Sequence, residues 1–216
     1  MRHDLNLQPA SGGSSARRFG AFGVSSRLAR LAGAIVCLAV LGAGLVLGTS
    51  TASAAEGAPL DFQVKAAFLV NFPKYVDWPS SVFDQTNSPV TVAIFGDDNV
   101  AGEFDSMIGG GRIVGGHPVV LKRITKEDQI GPDCQILFVA SSERQRIPAI
   151  LERIKGTGIL TVGENDDFLD RGGIINLVHR DRKIRLQVNL TAAAQAHLKI
   201  SSRLLVAADE VKGKFE

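Results

Sequence analysis

Asp97-Asp98 follows the apolar run Val90–Phe95, and two adjacent carboxylates at a strand end resemble the acidic pocket in which a phosphoreceiver domain holds magnesium. Such a domain also needs a phosphorylated Asp at the end of its third strand. Here that position reads Ala140-Ser141, so receiver chemistry fails, and Asp98 or Asn99 is expected to cap the next helix. Glu164, Asp166, Asp167 and Asp170 could supply paired carboxylates to a hydrolase. No nucleophile–base pair accompanies them, and a solvated loop is the commoner use of such a cluster. His117, His179 and His197 have no partner at metal-ligand spacing. Ser141-Ser142 lacks the G-x-S-x-G elbow, so Ser142 is expected to cap a helix. The run Gly109–Gly116 follows a helix and opens a strand, the reverse of a dinucleotide fingerprint, and reads as a turn. No cofactor and no metal site is expected.

The aromatic cluster Phe68, Phe72, Tyr75 and Trp78 holds the only Tyr and the only Trp of the chain. Phe68 and Phe72 fit the core face of a first helix. Tyr75 and Trp78, beside Lys74 and Asp77 at the helix exit, are candidates for recognition, because aromatics with polar tips concentrate at interfaces and pockets.

Those residues must be positioned by elements readable from periodicity. Apolar side chains spaced at i, i+4, i+7 and i+8 predict a helix over 60–72, ended near Pro73. Strands are predicted at Val90–Phe95, Val119–Ile124, Gln135–Ala140 and Ile159–Val162. Two more, Ile174–His179 and Lys183–Val188, are joined as a hairpin at Arg180-Asp181-Arg182. Helices are predicted over 100–108, 142–155, 190–198 and 201–211. Strands alternating with helices predict an α/β fold: a single layered domain with a mostly parallel mixed sheet, flanking helices and a C-terminal β-hairpin at one edge. Ile184, Leu186 and Val188 alternate with Arg185, Gln187 and Asn189, which predicts one wet face on the last strand. Arg185 is then expected to pair with a neighbouring acid, and Asn189 to cap the next helix.

Residues 1–54 read as a secretory signal peptide, and 55–216 as the folded domain. Arg-rich sequence up to Arg30 precedes the apolar run Leu31–Leu47, and Ala52-Ser53-Ala54 supplies a small-residue cleavage site. An uncleaved anchor is the alternative. The formal net charge of +2 belongs to this leader. Residues 55–216 hold 19 basic and 21 acidic side chains, so no nucleic-acid footprint is expected. A folded part of that size buries roughly 70% of its unfolded surface and needs no disulfide. Cleavage leaves Cys134 as the lone thiol, in an apolar setting that predicts a buried, inert side chain.

The stretch Lys65-Ala-Ala-Phe-Leu-Val-Asn-Phe-Pro-Lys-Tyr-Val-Asp-Trp-Pro79 resembles the opening motif of the YfiR family of small exported proteins. The resemblance continues through Gly96-Asp97-Asp98, Cys134–Phe138, Thr161–Gly163, Gly172–Asn176, Arg185–Asn189 and Leu198–Leu205, in order over nearly all of 60–208. It implies a periplasmic regulator, not an enzyme. Such a protein binds the periplasmic sensor domain of an inner-membrane diguanylate cyclase, or another membrane sensor, and lowers cyclic di-GMP output and biofilm formation. A homodimer and a small-molecule ligand are further partners the resemblance leaves open. Family members often carry a Cys at the position of Ala93, which can pair with the match to Cys134; here that bridge cannot form. Likeness and chemistry together select Lys74, Tyr75 and Trp78 as a recognition surface, with Asn176, Arg185 and Asn189 on the wet side of the last two strands. The alternative function is a periplasmic small-molecule-binding subunit feeding a sensor kinase.

Overall fold

The six apolar runs read as strands all enter one sheet of eight. The computed structural model describes residues 57–214, Asp84 and Thr86 excepted, so the expected leader lies outside the described residues. Helix α1 (Gly57–Asn71) leads through a 3-10 turn, Phe72–Lys74, into the two-residue strand β1 (Val76–Asp77). Then follow β2 (Val90–Phe95), α2 (Asp98–Ile108), β3 (Ile113–Val114), β4 (His117–Ile124), β5 (Ile136–Val139), α3 (Ile147–Arg153), β6 (Leu160–Gly163), β7 (Ile175–Arg180) and β8 (Lys183–Asn189). The chain closes with α4 (Leu190–Gln195), β9 (Lys199–Ile200), α5 (Ser202–Val206) and β10 (Glu210–Lys212).

The sheet order is β10-β8-β7-β6-β5-β2-β4-β3. Strands β4, β2, β5, β6 and β7 run parallel, and β8 returns antiparallel to β7. The central strands β5 and β6 are buried at every position because both faces of a parallel sheet are covered. On one face Ile94, Phe138, Val162 and Leu177 pack with Ala66, Leu69 and Val70 of α1 and Phe104 of α2. On the other, Phe95, Leu137 and Val139 pack with Ile147 and Ile150 of α3 and with Phe168. The Phe168 ring fills a slot between two glycines. A Cβ on Gly163 would come within 2.4 Å of the ring, and one on Gly173 within 2.2 Å.

Several local expectations change. The cap of α2 is Asp97, whose carboxylate accepts from Asn99 N at 2.9 Å and Val100 N at 3.1 Å, in place of Asp98 or Asn99. Ser142 caps nothing: its hydroxyl donates to the Gly96 carbonyl at 2.9 Å, and α3 begins later, where Pro148 occupies the first turn. The helix expected over 201–211 stops at Val206. Asp209 N then donates to Leu186 O at 2.7 Å and lays Glu210–Lys212 alongside β8 as a parallel strand. The hairpin therefore forms as expected, through Asp181 and Arg182 at φ 50° and 59°, but β10 and not β8 is the sheet edge. The glycine run divides into a helix stop and a second tight hairpin, Gly115-Gly116, between β3 and β4.

Gly115 has φ +63°, and a Cβ there would lie 2.5 Å from the Pro73 carbonyl oxygen. Gly116 has φ +91° and open space. Gly115→Ala should therefore lower the unfolding free energy by clearly more than the roughly 1–2 kcal/mol that the left-handed backbone alone costs. Gly116→Ala should show only that backbone cost. Urea unfolding of the two variants side by side checks the difference.

Candidate functional site

Where the chain leaves its first helix, three short stretches enclose a groove of about 610 Å³. Pro73, Lys74, Asp77, Trp78, Phe83 and His117 are among the residues that line it. Phe83 meets Trp78 edge-on with ring centroids 6.1 Å apart, and stacks on His117 at 4.5 Å. His117 Nδ1 lies 2.8 Å from the Ser88 carbonyl, which can only accept, so Nδ1 carries the proton. Trp78 is half-buried, and its indole N–H is buried without a partner. Lys74 and Asp77 are exposed and bring opposite charges to the lining. Behind this site, β1 pairs antiparallel with β9, and Ser201 N donates to Tyr75 O at 2.8 Å.

Tyr75 does not share the groove. It lines a separate apolar groove of about 530 Å³ with Phe68, Phe72 and Leu204, on the side of α1 and α5. Tyr75 closes the 3-10 turn at φ −124° and ψ 2°, before the extended pair Val76–Asp77 begins, so its side chain does not follow that of Trp78. Asn176 was expected on a wet face and is instead fully buried. Its Nδ2 donates to Asn165 O at 2.9 Å and to Gln187 Oε1 at 3.0 Å, because the turn after β6 folds over this part of β7 and β8. Arg185 stays half-buried, its guanidinium 3.9 Å from Asp209. Asn189 caps α4, its Oδ1 accepting from Ala192 N at 3.0 Å while Nδ2 donates to Leu169 O. Lys74 and Trp78 are thus brought together, and Asn176, Arg185 and Asn189 lie apart on β7 and β8.

His117, Phe83 and Gly115 were missed by the sequence reading. The signal for His117 was the Gly-Gly turn immediately before it, which fixes where β4 starts. Phe83 sits in irregular chain with no periodicity to mark it.

The carboxyl ends of β2 and β5 are where a doubly wound sheet of this order opens a crevice. Here the chain closes it. Glu164 accepts from Ser141 N at 2.6 Å and from the Lys65 ammonium at 2.5 Å, and Ser142 bridges to Gly96. Two more members of the acidic cluster are also engaged, while Asp166 is exposed. Asp167 accepts from Arg144 and Arg171, and the Arg144 hydrogen bond foremost holds its carboxyl below the usual range. Asp170 meets Lys212 at 2.7 Å. Burial pushes the Cys134 thiol up from its ordinary value, away from the reactive thiolate. Among the described residues no cluster of His, Cys, Asp and Glu has metal-holding geometry, and no helix is long and apolar enough to cross a membrane.

The model of the YfiR/HmsC-like family matches residues 62–209. The chain belongs to that family. YfiR/HmsC-like proteins are periplasmic regulators, not enzymes, and their setting is diguanylate cyclase signalling. No curated protein matches the chain. Among solved structures it is similar to an ABC domain in complex with L-Trp from Streptococcus pneumoniae (10% identity, 70% of this chain, TM-score 0.47). It is also similar to a conserved domain protein from Vibrio cholerae O1 biovar El Tor (12% identity, 71% of this chain, TM-score 0.45). The chain spans 60% of the length of each. The matched YfiR/HmsC-like region contains both walls of the Trp78 groove and all ten strands except the last.

Proposed function

We propose that this YfiR/HmsC-like protein is exported to the periplasm, binds the periplasmic sensor domain of an inner-membrane diguanylate cyclase and holds its cytoplasmic catalytic domain off. The observation that carries the reading is family membership over the region containing the Trp78 groove. A half-buried Trp is a residue type enriched among interface anchors. Tyr75 extends the surface to the neighbouring apolar groove. Arg185, half-buried on β8, is a secondary contact. Asn176 and Asn189 support the fold beneath it.

Deleting the gene in its host should raise cyclic di-GMP, and restoring the wild-type protein should reverse the rise. Trp78→Ala should weaken binding of the cyclase sensor domain by about 2 kcal/mol or more, roughly 30-fold. Lys74→Glu, a surface change that leaves the core intact, should also fail to restore low cyclic di-GMP. An unchanged level on deletion, with the protein present in the periplasm, defeats the cyclase reading.

The groove volume also favours a second reading, since 610 Å³ lies within the range of small-molecule pockets. In that case the protein feeds ligand occupancy to a sensor kinase. A screen of amino acids and nucleotides should then raise the melting temperature. No shift with any of them counts against it.

A further inference from the structure

Helix α4 ends in a left-handed cap. His197 takes φ 58°, and Leu198 N donates back to Ala193 O at 2.9 Å, which turns the chain out of the helix and into β9. A pocket of about 570 Å³ lies between α4, β9 and the residue that follows Gly213. Leu190, Ala193 and Ile200 give it a buried apolar lining, and His197, Lys199 and Lys214 an exposed basic one. No acid lines it among the described residues. Asp77 stands opposite Lys199 in the β1–β9 ladder without forming an ion pair. Lys212 is taken by Asp170 and Glu210, whereas no ion pair of Lys199 or Lys214 occurs among the described residues.

Reach decides what covers this pocket. Lys214 itself lines it, and the next two residues in the sequence are Phe215 and Glu216. Adjacent Cα atoms are about 3.8 Å apart, so Phe215 starts one residue from the lining. The pair brings an apolar ring for the buried part of the lining and a carboxylate for the basic part. A segment tethered this closely acts at an effective concentration on the order of millimolar, which a separate molecule of the same chemistry has to match. We propose that Phe215-Glu216 docks in this pocket as a built-in plug, with the Phe215 ring against Leu190, Ala193 and Ile200 and the Glu216 carboxylate on Lys199. The plug closes a pocket that an apolar, acid-bearing ligand would otherwise fill. Lys199 and Ile200 are also the strand partners of Asp77 and Val76, so the plug abuts the ladder behind the Trp78 groove. The inference does not depend on the cyclase reading.

NMR of the protein tests this. The Phe215 ring protons should show NOEs to the methyls of Leu190, Ala193 and Ile200. Glu216→Lys should weaken those NOEs, and adding Lys199→Glu to the same chain should restore them. Blocked acetyl-Phe-Glu-amide serves as the probe of the pocket. With the plug docked about nine-tenths of the time, Phe215→Ala should bind this dipeptide roughly tenfold more tightly than the wild type does. Absence of the NOEs overturns the proposal, and so does equal affinity of the two chains for the dipeptide. NOEs that arise only between differently labelled copies also overturn it, and make the segment of a second copy the occupant.

Discussion

Glu164→Gln should lower the unfolding free energy by about 3–5 kcal/mol, the usual cost of leaving one member of a buried ion pair without its partner. The side chains of Lys65 and Glu164 are 14% and 8% exposed, so water screens them little. The carboxylate joins α1, through Lys65, to the loop after β5, through Ser141 N. The amide keeps the shape of the carboxylate, loses its charge, and leaves an ammonium beneath α1 without an anion. Lys65→Met should cost less, because the remaining carboxylate still accepts from Ser141 N. Lys65→Met with Glu164→Leu should recover much of the loss, since apolar replacement of a whole buried pair is often neutral or stabilising. Urea unfolding of the two single variants and the double variant gives the coupling energy directly. A Glu164→Gln variant as stable as the wild type would show that the pair is hydrated.

The second large effect is expected at Phe168. Its ring is fully buried, and Phe168→Ala should cost about 3–5 kcal/mol through lost burial and the cavity left behind. Gly163→Ala and Gly173→Ala approach the same slot from its walls and should also destabilise, by overpacking. The sign reverses in combination. In a Phe168→Ala background the added methyls fill space instead of colliding, so Gly173→Ala should become neutral or stabilising there. Additive losses would mean that the glycines serve backbone conformation alone. The turn that carries Phe168 also covers Asn176, so Phe168→Ala should speed amide exchange at Asn176 and Gln187.

The long parallel strands were legible because burial on both faces writes an uninterrupted apolar run, as in Val90–Phe95 and Gln135–Ala140. The Gly115-Gly116 turn follows from residues free to take positive φ, and Asp181 tolerates it, whereas Arg182 takes φ 59° without any such preference; only the Asp181-Arg182 turn was read as a hairpin. The strands β1, β3, β9 and β10 were not legible. Two or three residues carry no period, and their pairing is decided by distant chain, as when Asp209 N finds Leu186 O. Asn176 was misplaced for a related reason. Alternation along β8 describes one strand and its own two faces, and contains nothing about a turn folding across them. The site was half legible. The composition of the Lys74–Trp78 stretch marked it, but Tyr75 was grouped with Trp78 at the helix exit, where nothing in the sequence tells which way each side chain turns. The wall made by Phe83 and His117 required tertiary structure.

The β1–β9 ladder has a consequence for the order in which the molecule can be finished. Val76 and Asp77, which border the Trp78 groove, find their strand partner in Ile200 and Lys199, near the far end of the chain. The central sheet from β2 to β7 needs nothing beyond Arg180 to pair. A chain emerging from its N-terminus therefore has its sheet core available early, while the backing of the Trp78 groove must wait for the last segment to arrive. Loss of residues from Lys199 onward would leave the strands of most of the parallel sheet present and the Trp78 groove without its backing strand.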